Sequence, residues 1–364
     1  MALRCGIVGL PNVGKSTLFN ALTGAGIAAE NYPFCTIEPN SGMAAVPDPR
    51  LAALESIVRP QRVLPAAVEF TDVAGLVRGA ARGEGLGNQF LGHLRETAAV
   101  LHVVRCFEDE KVVHVDGGVD PLRDVEVVEI ELGLADLASV ERRLERAMRA
   151  ARTGREDDRA AAQFFEALHE HLAGGAPARS FAVAPEHADA FRACALLTAK
   201  PVLYIANTDE SAAGNAPLRA LEQHAAKSGA ALLQLSARTE AELMELAPEE
   251  RSAFLSELGI AEPGLHRLAR AAYALLDLLS FFTAGPKEVR AWTIARGARA
   301  PRAAGAIHSD FERNFIRAEI IAFEDFVACG GESGARAAGK LRVEGRDYIL
   351  QDGDVAHFRV GGAA

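Results

Sequence analysis

Gly9-Leu10-Pro11-Asn12-Val13-Gly14-Lys15-Ser16-Thr17 follows an apolar run at residues 3–8 and precedes a helical pattern through Leu18, Leu22 and Thr23. Strand, glycine-bounded loop and helix in that order are the context a phosphate-binding loop requires. Gly9 and Gly14 permit the tight backbone that turns successive N–H groups inward, and the following helix aims its N-terminus at the same anion. The expected phosphate set is Asn12, Val13, Gly14, Lys15, Ser16 and Thr17. Lys15 is expected to reach the β- and γ-phosphates, and the Ser16 hydroxyl to ligate magnesium.

Three further stretches fit around that loop. Ala66-Ala67-Val68-Glu69-Phe70-Thr71-Asp72-Val73-Ala74-Gly75 is a β-prone run ending in Asp-x-x-Gly. That spacing sets the Asp72 carboxylate at a strand end, where it holds magnesium, and brings the Gly75 amide near the γ-phosphate. Between the two lies Asn31-Tyr32-Pro33-Phe34-Cys35-Thr36-Ile37-Glu38-Pro39-Asn40, in which Thr36 is a candidate switch residue closing over magnesium when a γ-phosphate is present. Cys35 reads either as a thiol in a switch segment or as a small apolar residue. Residues 200–210 read as a buried strand ending in Asn207-Thr208-Asp209-Glu210, and residues 231–237 as another ending in Ser236-Ala237. Both end where open α/β sheets bind ligands.

With these motifs in this order, the chain resembles the translation-factor-type P-loop NTPases of the Obg family, and within them the YchF, or Obg-like ATPase, subfamily. Further stretches carry the resemblance over nearly the whole length: Asp72-Val73-Ala74-Gly75-Leu76-Val77-Arg78-Gly79-Ala80, Gly85-Leu86-Gly87-Asn88-Gln89-Phe90-Leu91 and Phe281-Phe282-Thr283-Ala284-Gly285-Pro286-Lys287-Glu288-Val289-Arg290-Ala291-Trp292-Thr293. The resemblance implies a Ras-like α/β P-loop domain that prefers ATP to GTP, hydrolyses it slowly and switches shape with it. The residues agree on the base. A guanine site presents Asn-Lys-x-Asp, whereas here the lysine position is Thr208 and the aspartate position Glu210, so the carboxylate fork for guanine is misplaced. Asp209 offers another carboxylate one residue earlier.

The position after Asp-x-x-Gly, where many Ras-like proteins carry the glutamine that orients water, is Leu76, which neither donates nor accepts. The resemblance points to His114 as the residue acting on the reaction, and an imidazole suits proton transfer near neutral pH; a structural histidine is the competing reading. It also implies that Asn12, with loop carbonyls, can hold a potassium ion beside the phosphates.

From about residue 126 the pattern becomes helical, with Leu137, Val140, Leu144, Ala147 and Ala151 along one seam. After Thr153-Gly154 it continues through Ala161, Phe165, Leu168 and Leu172. Each seam spans about two heptads, which predicts an antiparallel hairpin and not a long dimeric coiled coil. From residue 277 onward short β-prone runs at 289–294, 348–350 and 357–360, with a helical run at 310–318, predict a compact α+β module. It resembles a TGS domain, a ubiquitin-like β-grasp. The expected organisation is therefore a P-loop domain at residues 1–125 and 196–276, an inserted helical hairpin at 126–195 and the C-terminal module at 277–364.

The 364 residues are 49% hydrophobic and 24% charged with a net charge of −10, a balance that disfavours indiscriminate binding to nucleic acid. Residues 287–346 hold 11 basic and 8 acidic residues, so a phosphate backbone is expected to meet the chain there if anywhere, through Arg290, Arg296, Arg299, Arg302, Lys340 and Arg342. A solvated surface explains those charges equally well. The resemblance implies a ribosome or ribosomal subunit as partner, with RNA contact through the TGS and helical parts. Five scattered cysteines without a metal-ligand spacing read as reduced thiols. The lack of an apolar export or spanning segment predicts a cytoplasmic protein, and a monomer is expected. A GTPase of the ribosome-assembly type, and a gated binder in which turnover is incidental, are the alternative functions.

Overall fold

The computed structural model describes residues 4–24, 40–73, 86–109, 112, 114, 117–209 and 216–361. Its first sheet is built from β1 (Arg4–Val8), β2 (Ser41–Val46), β4 (Ala66–Asp72), β5 (Ala99–Arg105), β6 (Val202–Asn207) and β7 (Ala231–Leu235), in the order β2-β4-β1-β5-β6-β7. All pairs are parallel except β2 with β4. β5 is buried along its whole length and reads Ala-Val-Leu-His-Val-Val-Arg, the near-continuous apolar run of a strand covered on both faces. Around this sheet pack α1 (Lys15–Gly24), α3 (Leu86–Glu96), α7 (Ala216–Ser228), α8 (Ala237–Glu245) and α10 (Gly264–Leu275), with α9 (Pro248–Glu257) beside α8, while α2 (Arg50–Val58) lies against the second sheet.

The helical arm leaves the sheet after β5. Its first helix, α4 (Pro121–Ala151), starts with Asp120 as cap, accepting from the Arg123 N–H at 3.2 Å, and with Pro121 at the first helical position. The second, α5 (Glu156–Ala173), runs back along it, and the short α6 (Ala188–Ala193) precedes the return to β6. The arm's core is Val140, Phe164, Leu168, Leu172, Ala178, Cys194 and Leu196. Phe164, more than Phe165, is the buried aromatic of the seam, and its ring stacks on His187 at 4.7 Å. α4 also begins earlier than the periodic pattern, because Val125, Val127, Val128, Leu132 and Ala135 bury against the sheet before the arm projects.

The second sheet has the order β11-β10-β12-β8-β9-β3. Its members are β3 (Arg62–Leu64), β8 (Leu278–Ala284), β9 (Glu288–Ala295), β10 (Phe315–Ile321), β11 (Arg342–Glu344) and β12 (Val355–Val360), with helices α11 (Ala300–Ile307), α12 (Ser309–Arg313), α13 (Phe323–Ala328) and α14 (Glu332–Ala337). β8 and β12, the first and last strands of the C-terminal module, lie side by side and parallel, as in a β-grasp. Two expectations drawn from the sequence are corrected here. Residues 310–318 are not one helix: α12 stops at Arg313, and β10 follows because Phe315, Ala318 and Ile320 pack inward as strand residues. The longest helix of the module is instead the alanine-rich α11, with Pro301 in its first turn, whose Ala300, Ala303 and Ala304 let it lie close on the core. Residues 348–350 are not a strand and contribute one bridge, Arg299 to Ile349. An unforeseen feature is β3, which comes from the N-terminal part yet pairs in parallel with β9 and completes the second sheet.

Candidate functional site

The loop of residues 9–14 sits at the C-terminal end of β1. Gly9 has φ +152° and Gly14 +96°. A Cβ at Gly9 would strike the Val103 carbonyl, and one at Gly14 the Asn207 amide, so both conformation and close approach require glycine. Lys15 opens α1 and is buried; its Nζ donates to the Leu10 carbonyl at 2.6 Å, so the loop curls around its own lysine. Burial holds the ammonium down to about 8, against the opposing pull of Asp72.

Ser16 Oγ donates to Asp72 Oδ2 at 3.1 Å, which joins the start of α1 to the end of β4. The other carboxylate oxygen, Asp72 Oδ1, is buried without a hydrogen-bond partner among the described residues. A buried anionic oxygen with open lone pairs beside a hydroxyl is a donor set for a hard divalent cation. The residues therefore fit magnesium.

Asn207 ends β6 and is buried. Its Nδ2 donates to the Val13 carbonyl at 2.9 Å and its Oδ1 accepts from the Ala237 N–H at 2.9 Å, so one amide ties the phosphate loop to the start of α8. Ser236 caps α8 by accepting from the Thr239 N–H at 3.2 Å. Thr208 is turned inward: its N–H donates to the Leu235 carbonyl at 2.9 Å, and its hydroxyl lies against the same oxygen at 3.4 Å.

Asn12, Gly14, Lys15, Ser16, Thr17, Asn207, Thr208, Ser236 and Ala237 line one cavity of about 710 Å³, within the range of small-molecule sites. Phe107, Glu108, Asp109 and Val112 form another wall, with Asp209, Arg238, Glu242 and Glu245 beyond it. That wall depends on Arg105, a buried residue the motifs did not flag. Its guanidinium donates to the carbonyls of Phe107, Val112 and Asp109 at 3.1, 2.9 and 3.3 Å, and stands 4.6 Å from the Phe107 ring. Carbonyl partners leave no mark on side-chain patterns; an arginine ending an otherwise apolar strand is the only signal.

His114 is elsewhere. Its Nε2 lies 2.8 Å from Asp124 Oδ2, in the first turn of α4, and it is not among the residues lining the cavity. Thr36, Gly75 and Glu210, with Cys35 and Leu76, fall outside the described residues. In the C-terminal module Trp292 is a core residue, packed with Phe281 and donating from Nε1 to Thr283 Oγ1 at 2.9 Å. Each of the six basic residues expected to meet phosphate has a carboxylate within 4.0 Å. No helix among the described residues is long and apolar enough to cross a membrane.

A glycine loop between strand and helix, a lysine inside it, and a serine–aspartate pair at its mouth define a P-loop nucleotide-binding protein of the GTPase-like type. Residues 4–143 match the MMR_HSR1 family, described as "50S ribosome-binding GTPase", and residues 278–361 match YchF-GTPase_C, described as "Protein of unknown function (DUF933)". The "Ribosome-binding ATPase YchF" of Haemophilus influenzae is 54% identical over 360 residues, 99% of each chain, and that of Bacillus subtilis is 50% identical over 363 residues, again 99% of each. The solved structure of the Schizosaccharomyces pombe YchF GTPase superposes with a TM-score of 0.88 at 36% identity, covering 98% of this chain and 97% of that one. The chain belongs to the YchF family.

Proposed function

We propose that the protein is a cytoplasmic, monomeric ribosome-binding ATPase that binds ATP in preference to GTP and hydrolyses it slowly to ADP and phosphate. The observation that carries the reading is the Lys15–Ser16–Asp72 cluster opening into the cavity walled by Asn207, Thr208 and Ala237. Its ribosome-binding part rests on the names of the relatives, and so does the choice of ATP in the first place. Thr208 supports that choice: at the lysine position of a guanine motif stands a short side chain folded back on β7, and Glu210 replaces the aspartate that would grip guanine.

Lys15 and the loop N–H groups hold the β- and γ-phosphate oxygens and stabilise the charge that moves onto the leaving ADP oxygen as water adds to the γ-phosphorus. Ser16 and Asp72, with Thr36, would hold Mg2+, which supplies further neutralisation of the phosphates when bound. Asn12 and the loop carbonyls are the proposed seat for potassium. His114 is proposed to act on the water when nucleotide is bound, which requires its imidazole to move to the cavity that it does not line here. GTP remains the second reading, favoured by the Asp209 carboxylate at the cavity wall and by the GTPase description of the matched MMR_HSR1 family.

The test is phosphate release from ATP by the wild type and by His114→Ala. The expected loss in the variant is about a hundredfold or more in turnover, the size of a general acid–base contribution, with ATP affinity kept. Unchanged turnover would remove His114 from the reaction and favour a gated binder.

A further inference from the structure

A second cavity, of about 310 Å³, opens where the arm joins the first sheet, and it shares no lining residue with the nucleotide cavity. One side is a face of the sheet, with Val100 and His102 of β5 beside Val202 of β6. Strand residues two apart share a face, so that side is apolar except for His102. The other side is α4 from Glu126 to Leu137, together with the segment that follows α5. An engineered cavity of about 150 Å³ takes benzene, so this one has room for a body of two rings.

His102 is 3% exposed, and neither ring nitrogen makes a hydrogen bond to the described residues. Its ring packs beside that of Tyr204, with 5.6 Å between centroids. Burial holds the imidazole down to about 4 against the opposing pull of Glu129, so at pH 7 it is neutral, with one N–H to donate and one lone pair to accept. Polar groups left unmet in an interior are costly, and a ligand in the cavity can meet one of these. Glu129 is already engaged. Its Oε1 accepts from the Tyr204 hydroxyl at 2.7 Å and from Arg179 Nη2 at 3.2 Å, and His224 Nε2 stands 3.8 Å from its Oε2. The remaining charged lining residue, Glu126, is exposed to water. The interior therefore offers no open charge to offset the desolvation of a charged ligand. Gly133, inside α4, points the same way. Glycine is disfavoured in a helix interior, yet beyond the helix's own backbone no described atom lies within 4 Å of where a Cβ would stand, and its φ is not positive. Neither packing nor conformation asks for glycine here; its effect is to leave the backbone of α4 open to the cavity.

We propose that this cavity is a binding site for a neutral, flat, largely apolar molecule of one or two rings, whose single N–H or O–H reaches the ring of His102 while its body lies between Val100 and Val202 on one side and Gly133 on the other. A flat body suits a slot between a sheet face and a helix, and the apolar walls gain by being covered. The occupant would brace α4 against β5, the strand that continues to Arg105 and the wall of the nucleotide cavity.

The test uses the full-length protein with indole as probe, read by calorimetry and by the ring carbon signals of isotope-labelled histidine. Indole is expected to bind and to shift the His102 signal, identified by its loss in His102→Leu, more than that of any other histidine. 1-Methylindole, which lacks the N–H, should bind the wild type about tenfold more weakly than indole does, and H102L should bind the two alike. Gly133→Leu sets a side chain into the cavity and should abolish binding while melting at or above the wild-type temperature. Tryptamine and indole-3-acetate, which add a positive and a negative charge, should each bind about tenfold or more weakly than indole. Absence of indole binding up to about 10 mM, a largest shift at a histidine other than His102, or binding that survives G133L unchanged would each overturn the site. Tryptamine or indole-3-acetate binding as tightly as indole would overturn the neutral ligand.

Discussion

At Lys15, burial and charge pull against each other: desolvation lowers the ammonium to about 8, while Asp72 favours the charged form. A bound triphosphate adds strong negative charge and so raises that value. The sign follows: above about pH 8 the free site has begun to lose its proton, binding must take one up, and ATP affinity falls as pH rises. Calorimetry at pH 8.5 in two buffers of different ionisation enthalpy should show net proton uptake that vanishes in Lys15→Met. Identical heats in both buffers would mean that the lysine keeps its proton without nucleotide. Residues of this kind are legible in the sequence itself, since phosphate chemistry dictates glycine, lysine and serine at fixed spacing. Asn207 is legible only in part. Its position marks the base pocket, but its amide is spent joining Val13 to Ala237, residues far apart in the chain.

Among the elements, the return of the arm to the body is pinned by one buried carboxylate, beside the apolar root of α4. Asp136 on α4 accepts from the Leu197 N–H at 2.8 Å, the Thr198 N–H at 2.8 Å and the Thr198 hydroxyl at 2.7 Å. Asp136→Ala leaves two buried N–H donors unpaired at the root of the arm, and should cost about 2–4 kcal/mol in chemical denaturation. An effect within about 0.5 kcal/mol, the scale of an ordinary surface change, would show that the return segment is held by apolar packing alone. The hairpin itself can be read from its periodicity, because both helices bury a regular stripe. The C-terminal module cannot be read as well. Phe315 to Ile321 lies directly after a true helix and mixes charged with β-branched residues, and only the neighbouring strands β12 and β11 decide that it is extended. The short β3 is equally hidden, since three residues acquire strand character only by pairing with β9.

Over the whole molecule the two sheets are not independent. β3 crosses into the second sheet, and Arg50 at the start of α2 joins Asp48 at 2.8 Å to Asp352 of the C-terminal module at 2.7 Å while lying 4.9 Å over the Phe282 ring. The nucleotide cavity likewise draws on distant parts: the loop after β1, the wall shaped by Arg105 after β5, Asn207 and Thr208 after β6, and the start of α8 after β7. Base selectivity is thus a property of the assembled sheet, and Thr208 turned toward β7 is its most informative feature. The decisive measurement is equilibrium binding of ATP and GTP to the full-length protein with magnesium present. Tighter binding of ATP by tenfold or more, about 1.4 kcal/mol, is expected; equal or tighter binding of GTP would contradict the ATPase reading and return the pocket to guanine.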